Sequence, residues 1–189
     1  FMPVTRVGAV ARASAAEGQW NECLTSDAAY VRALRNMCMA HELAVEAIVS
    51  ERPDATIIQC ERIMRFHGAG QRAHAEAERR NALELLGLDL TVGRELPSML
   101  VRYLTENGVT AADHRFLREP RARDQRWLGL EYVPISERRI ASSGRITLAR
   151  QGLGMRRLAT EYWQRYKLPL FHAGTHQASR RAVPWLREQ

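Results

Sequence analysis

Four side chains combine a reactive type with a useful position: Glu61, Glu137, His172 and His176. Glu61 closes the β-branched apolar run Ala55-Thr56-Ile57-Ile58-Gln59-Cys60. A carboxylate at the tip of a buried strand is partly stripped of water, which raises its pKa toward the range useful for general acid/base catalysis. The competing expectation is an ion pair with Arg62, Arg65 or Arg6. Glu137 lies a few residues beyond the apolar run Trp127–Val133, where either an active-site acid or a solvated loop acid would fit. His172 and His176 could shuttle protons near neutral pH or bind a metal ion. Their four-residue spacing crosses a strand-to-helix turn and gives them no automatic common face. With Glu61 and Glu137 they could make a His/carboxylate metal site, yet the spacing does not demand one. No cofactor is therefore required, and a metal ion is the only one entertained.

Other candidates read as structure. His41 falls on the apolar face of a helical pattern and is expected to be a satisfied core histidine, while His74 and His114 look like surface residues. Trp20, Trp127, Trp163 and Trp185 are dispersed, as packing residues usually are. Trp127, Tyr132 and Phe171 could also stack on a ring-shaped ligand. The HGAG stretch at 67–70 lacks the lysine and spacing of a phosphate loop, and GLG at 152–154 is too short for a dinucleotide site. No serine occupies a nucleophile elbow. Cys23, Cys38 and Cys60 are odd in number and lack CxxC spacing, so neither a disulfide framework nor a zinc site is expected.

The elements that must position these residues alternate. Phe1–Thr5 reads as a strand, followed by loop. Ser26 and Asp27 offer an N-cap to a long amphipathic helix ending near Ser50, with apolar positions recurring at Tyr30, Leu34, Met37, His41, Val45 and Ile48. The strand up to Cys60 follows. The polar stretch Phe66–Gly70 then precedes a helix through Leu86. Shorter helices are expected over Leu96–Glu106 and Ala111–Phe116, and a charged surface loop over Arg118–Arg126. After the strand Trp127–Val133 come an Arg- and Gly-bearing loop, a helix over Leu153–Tyr166, a strand over Leu168–His172 and a last helix from about Gln177. This alternation predicts parallel pairing in an α/β fold.

The chain has 189 residues, 46% hydrophobic and 26% charged, with a formal net charge of +7. That composition can bury a core and excludes a disordered chain. Apolar runs are far short of a membrane span, and the N-terminus lacks a signal-like stretch, so no membrane partner and a cytoplasmic location are expected. Met2 reads as the natural initiator. Lys167 is the only lysine; the 27 arginines are scattered and often beside acids, so nucleic acid is not an expected partner. The arginines near the end, Arg156 to Arg187, read as a solvated helix face rather than an anion site.

Five ordered stretches carry a resemblance: GQWNECLTSDAAYVRALRNMCMAHELAVEAI, RPDATIIQCE, LGLDLTVGRELPSMLVRYLTENGVT, LGLEYVPISE and EYWQRYKLPLFHAGTH. Together they resemble the later part of family 1 glycoside hydrolases, over nearly the whole chain. The resemblance implies strands four to seven of a (β/α)₈ barrel, hence a partial, half TIM barrel of about four βα units in a single domain over 1–189. It also implies a site at the C-terminal strand ends, which adds Arg6, His67 and Tyr132 to the candidates. The catalytic assignment is Glu61, Glu137 and His172, and the substrate-binding assignment is Arg6, His67, Tyr132 and His176.

The family needs two carboxylates, and the resemblance implies that both are replaced. Thr5-Arg6-Val7 stands where its Asn-Glu-Pro acid/base motif belongs, and Ala173-Gly174-Thr175 stands at its nucleophile motif. Arginine cannot return a proton near neutral pH, and glycine has no atom with which to form a glycosyl-enzyme. Retaining glycosidase chemistry is excluded on this alignment. The expected function is a small-molecule enzyme with other proton-transfer chemistry: a lyase, isomerase, cyclase or hydrolase, in a specialised biosynthetic pathway. The alternative is a non-catalytic pseudoglycosidase that binds a ligand or serves as an interaction subunit. At 189 residues the chain is shorter than the ~250 of such barrels, so a homodimer of half-barrels is expected, with a hetero-partner as runner-up.

Overall fold

The computed structural model describes residues 26–149 and 152–175. The expected strand Phe1–Thr5, the last helix from Gln177, Arg6 and His176 lie outside the described residues. The described residues divide into two compact units: one contains 58–84, 127–149 and 152–175, the other 26–57 and 85–126.

In the second of these units, helix α1 (Asp27–Glu51) starts where the sequence places it. Ser26 is extended and its hydroxyl accepts from the Ala29 N–H, satisfying one of the otherwise unpaired first-turn donors. α1 buries Val31, Leu34, Cys38 and Val45, which are at most 2% exposed. Each such side chain contributes about 1.5–3 kcal/mol by leaving water. Cys38 directs its thiol at the Gly87 carbonyl, 3.8 Å away. Gly87 belongs to helix α2 (Gln71–Thr91), which runs five residues beyond the predicted Leu86. α3 (Ser98–Glu106) and α4 (Ala111–Arg118) follow. α4 opens on a capping box in which Thr110 and Asp113 bond each other's backbone N–H.

The expected surface loop at 118–126 is not wholly exposed. A short 3₁₀ turn (Arg123–Gln125) delivers Arg126, 1% exposed, against Glu42 of α1, 0% exposed. One guanidinium nitrogen donates to both Glu42 oxygens at 2.7 Å, and the other two donate to the Thr91 and Arg121 carbonyls. Arginine is buried here because every nitrogen in its fork finds an acceptor.

The other unit carries the strands. β1 (Ile57–Arg62), β3 (Arg126–Glu131) and β6 (Leu170–Gly174) form a three-stranded parallel sheet in the order β1-β3-β6, with Leu128 opposite Leu170 and Gly129 opposite Phe171. Leu128 and Leu130, both 0% exposed, anchor the central strand. Helix α5 (Gly154–Tyr166) buries Leu158, Tyr162 and Tyr166.

A second sheet was not evident in the sequence. β2 (Arg65–Gly68) pairs parallel with β4 (Glu137–Ile140), which pairs antiparallel with β5 (Ile146–Leu148). The stretch read as polar loop, Phe66–Gly70, is thus strand at its start, and most of the Arg- and Gly-bearing loop is a hairpin. Asn81 makes β2 possible: its side chain accepts from the Phe66 N–H and donates to the Phe66 carbonyl. Phe66, Ala73, Ala77 and Ile140 then form a small core. Because β2 follows β1, and β4 follows β3, this sheet lies beyond the C-terminal ends of the first. An α/β arrangement of parallel strands flanked by helices is what part of a β/α barrel requires.

Candidate active site

The candidate site forms around Glu137. Strand β3 ends at Glu131, and the chain turns through Val133-Pro134-Ile135-Ser136, with the Ser136 N–H bonded to the Val133 carbonyl and the Ser136 hydroxyl accepting from the Val133 N–H. Proline at the second position suits such a turn. The turn makes Glu137 the first residue of β4 and leaves it 3% exposed, so the solvated loop acid is corrected to a buried one.

Four donors converge on its carboxylate. Oε1 accepts from the Tyr132 hydroxyl at 2.8 Å and the Gly154 N–H at 2.9 Å. Oε2 accepts from the Leu153 N–H at 2.7 Å and meets His67 Nε2 at 2.6 Å. Burial pushes the Glu137 carboxyl up, but the two backbone N–H groups, Tyr132 and His67 outweigh it and hold the carboxyl below the usual range. The positive end of α5 favours the same anion. Tyr132, 6% exposed, is pushed well above the usual phenol range, first by burial and then by its bond to Glu137 and the charge there. Glu137 is therefore a fixed anion and Tyr132 a fixed donor.

Such close approach needs glycine. A Cβ on Gly152 would lie 2.2 Å from Glu137 Oε1, and Gly154 sits at φ +77°. The GLG triplet, too short for a dinucleotide loop, is instead what lets the carboxylate reach the helix start.

His67, in β2, keeps 30% of its side chain exposed. Opposite an anionic carboxylate Nε2 must be the protonated nitrogen, so the neutral ring has its lone pair at Nδ1, for which no hydrogen bond exists among the described residues. A buried carboxylate backing a half-open imidazole is an arrangement suited to proton transfer.

The other predicted residues stand apart from this cluster. Glu61, 2% exposed in β1, accepts from the Gln59 amide at 2.8 Å. The arginines nearest in sequence are engaged elsewhere: Arg62 with Glu131 at 2.9 Å, and Arg65 near Glu161 at 3.7 Å. His172 lies exposed on β6. Gly174 ends β6 opposite Glu131, where an added Cβ would meet only the Glu131 side chain, at 3.8 Å. That position is glycine without a steric need for it. His41 sits in the other unit as a core histidine, but not as the satisfied one expected: its buried Nε2 has no hydrogen-bond partner among the described residues, and burial, then the charge of Arg126, lowers its pKa to about 4. Among the described residues no group of three or more His, Cys, Asp or Glu could hold a metal ion, and no helix is long and apolar enough to cross a membrane.

No protein-family model matches the chain, and no curated protein does. Solved structures do match. A β-glucosidase from Thermotoga maritima bound to a calystegine derivative superposes with a TM-score of 0.72 at 13% identity, over 98% of this chain and 47% of that one. The same organism's β-glucosidase in complex with azafagomine gives 0.69 at 14% identity, over 98% and 47%. A further structure, described as a family 1 β-glucosidase, gives 0.66 at 14% identity, over 95% and 47%. The chain thus spans less than half the length of the structures it matches, and at such identity what it shares with them is the fold, that of part of a glycosidase-like TIM barrel.

Proposed function

We propose that this chain uses a glycosidase-like scaffold for proton-transfer chemistry on a small molecule, with His67 as the acid/base and Glu137 as the residue that positions it. The observation that carries this reading is the 2.6 Å contact between the half-open imidazole and a carboxylate fixed by three other donors. Nδ1 of His67 takes a proton from the substrate, and Glu137 stabilises the imidazolium until the proton is returned. This serves a lyase, isomerase, cyclase or non-glycosidic hydrolase. Tyr132 acts through Glu137, and Arg6 and His176 bind the polar end of the ligand. Gly174 has no nucleophilic atom, and Arg6 no exchangeable proton near neutral pH, which supports chemistry other than retaining hydrolysis.

Base-promoted ring opening of 5-nitrobenzisoxazole tests the reading without a known substrate. Turnover by the native chain should fall about 100-fold or more in His67→Ala and recover with added imidazole. Glu137→Gln should lower kcat at unchanged KM. Turnover in His67→Ala equal to that of the native chain would sink the reading.

The vacated positions at Arg6 and Gly174 favour a second reading, a non-catalytic pseudoglycosidase that binds a ligand. Calorimetric binding of deoxynojirimycin by a chain inert toward the benzisoxazole would select it.

A further inference from the structure

We infer that the substrate of this site is a small organic anion whose carboxylate or phosphate is held by Arg139 beside the reacting C–H, an inference that rests on His67 being the base. In the β2-β4-β5 sheet, His67 stands opposite Arg139, and Arg139 stands opposite Thr147. Residues directly opposite share a face, so an imidazole, a guanidinium and a hydroxyl form a row on strands about 4.8 Å apart. The bond from His67 to Glu137 fixes which face this is, because Glu137 lies two residues before Arg139 on the same strand. The reverse face carries Phe66 and Ile140, packed with Ala73 and Ala77. Helix α5 closes the neighbouring level of the row's face: the Leu153 and Gly154 N–H groups bond Glu137, and Glu161 lies 3.7 Å from Arg65. The row itself is open, with His67 half-buried and Arg139 and Thr147 exposed.

Charge selects the occupant. Arg139 has no ion pair with any described residue. Glu137 does not supply one, since its oxygens already serve four donors and a carboxylate has about four lone-pair sites. Glu161 is taken by Arg65. Once His67 holds a proton, the sheet presents two cations side by side, and like charges disfavour the protonated base. A neutral substrate leaves that repulsion in place. An anion seated on Arg139 offsets it at the moment of proton transfer, and the planar fork of a guanidinium matches the paired oxygens of a carboxylate or phosphate. The Thr147 hydroxyl, next in the row, is placed to donate to a further oxygen. The substrate class is therefore an anion with an acidic C–H close to its charged group.

Alkylation of His67 by iodoacetate and by iodoacetamide, followed by peptide mass spectrometry, tests this without a known substrate. Nδ1 attacks the methylene carbon, the C–N bond forms as the C–I bond breaks, and iodide leaves with the bonding pair. The reagents differ in carrying a carboxylate or a neutral amide. In the native chain iodoacetate should modify His67 at least about tenfold faster than iodoacetamide, and in Arg139→Gln the ratio should fall to that of N-acetylhistidine. Arg139→Lys should keep part of the preference. Arg72→Gln, an equal loss of charge at an exposed position on α2, should leave the ratio unchanged. Added acetate or inorganic phosphate should slow the iodoacetate reaction, the stronger competitor naming the oxyanion. Equal rates for the two reagents, a preference that survives Arg139→Gln, or competition by neither anion would overturn the anion site and leave His67 as the base. A His67 modified by neither reagent would overturn the anion site together with the reading beneath it.

Discussion

Glu42 and Glu137 are both buried carboxylates that collect donors from distant parts of the chain, yet they are built for different ends. Glu42 meets a guanidinium whose other two nitrogens are bonded to backbone carbonyls, so every nitrogen of Arg126 is engaged in holding the structure. Glu137 is held by a phenol, two backbone N–H groups and an imidazole. Three of those four donors do not ionise near neutral pH, and the fourth, the His67 imidazole, is partly open to solvent. Burial alone does not make a reactive site. What matters is whether one member of the network keeps a free, titratable valence.

The comparison can be broken from either side. The largest effect is expected from Arg126→Ala, which leaves Glu42 charged and uncompensated: a loss of about 3–5 kcal/mol by denaturant unfolding. Replacing both partners, as Glu42→Met with Arg126→Leu, should recover most of it. A cost from the double replacement as large as from the single one would show that Glu42 contributes more than half of an ion pair.

Next comes acid. His41 is neutral in both states above pH 6.5. Between 6.5 and about 4 the unfolded chain takes up a proton that the folded chain refuses, so stability falls as pH drops through that window. The total is about 3 kcal/mol at ~1.4 per pH unit, and His41→Leu should flatten the slope. Glu137 has the opposite environment, a carboxyl held below its usual range. Its stabilisation is present above the unfolded pKa and is lost as pH falls through the folded one, and Glu137→Gln should remove that limb of the profile.

Gly152→Ala should cost about 1–3 kcal/mol, because the new Cβ meets the Glu137 carboxylate, and should depress His67-dependent turnover as well. A smaller effect, about 1 kcal/mol, is expected from Thr110→Ala, which removes a helix cap far in sequence from both networks. Thr110→Ala should leave turnover untouched, which separates lost stability from lost positioning.

Much of the fold was legible because its signals are local. The Ser26 cap and the apolar stripe of α1, the β-branched run of β1 and the apolar cores of β3 and β6 declare themselves within a few residues. β2, β4 and β5 do not: Arg65-Phe66-His67-Gly68 and Glu137-Arg138-Arg139-Ile140 alternate poorly and exist because they pair with each other and because Asn81 satisfies Phe66. The site was legible in its members but not in its wiring. Glu137, His67 and Tyr132 were all nominated, yet the bond between His67 and Glu137 spans 70 residues, and nothing in either neighbourhood announces it. The sharpest overlooked signal was Gly152 with Gly154, a pair whose meaning depends on a carboxylate that the sequence places fifteen residues earlier. Arg126 was misread for a related reason, since a charged residue in a charged stretch is buried only when its partner lies elsewhere in the chain.

The cysteines give the two units separate clocks. Cys38 is sealed at 0% exposure among the helices, whereas Cys60 lies partly open on the sheet. A thiol reagent can reach Cys38 only when its surroundings open, so its labelling rate reports the opening frequency of the helical unit in the native state. Cys60 reports on the other unit without passing through that event, which makes it possible to ask whether the two parts of the chain come apart together or in turn.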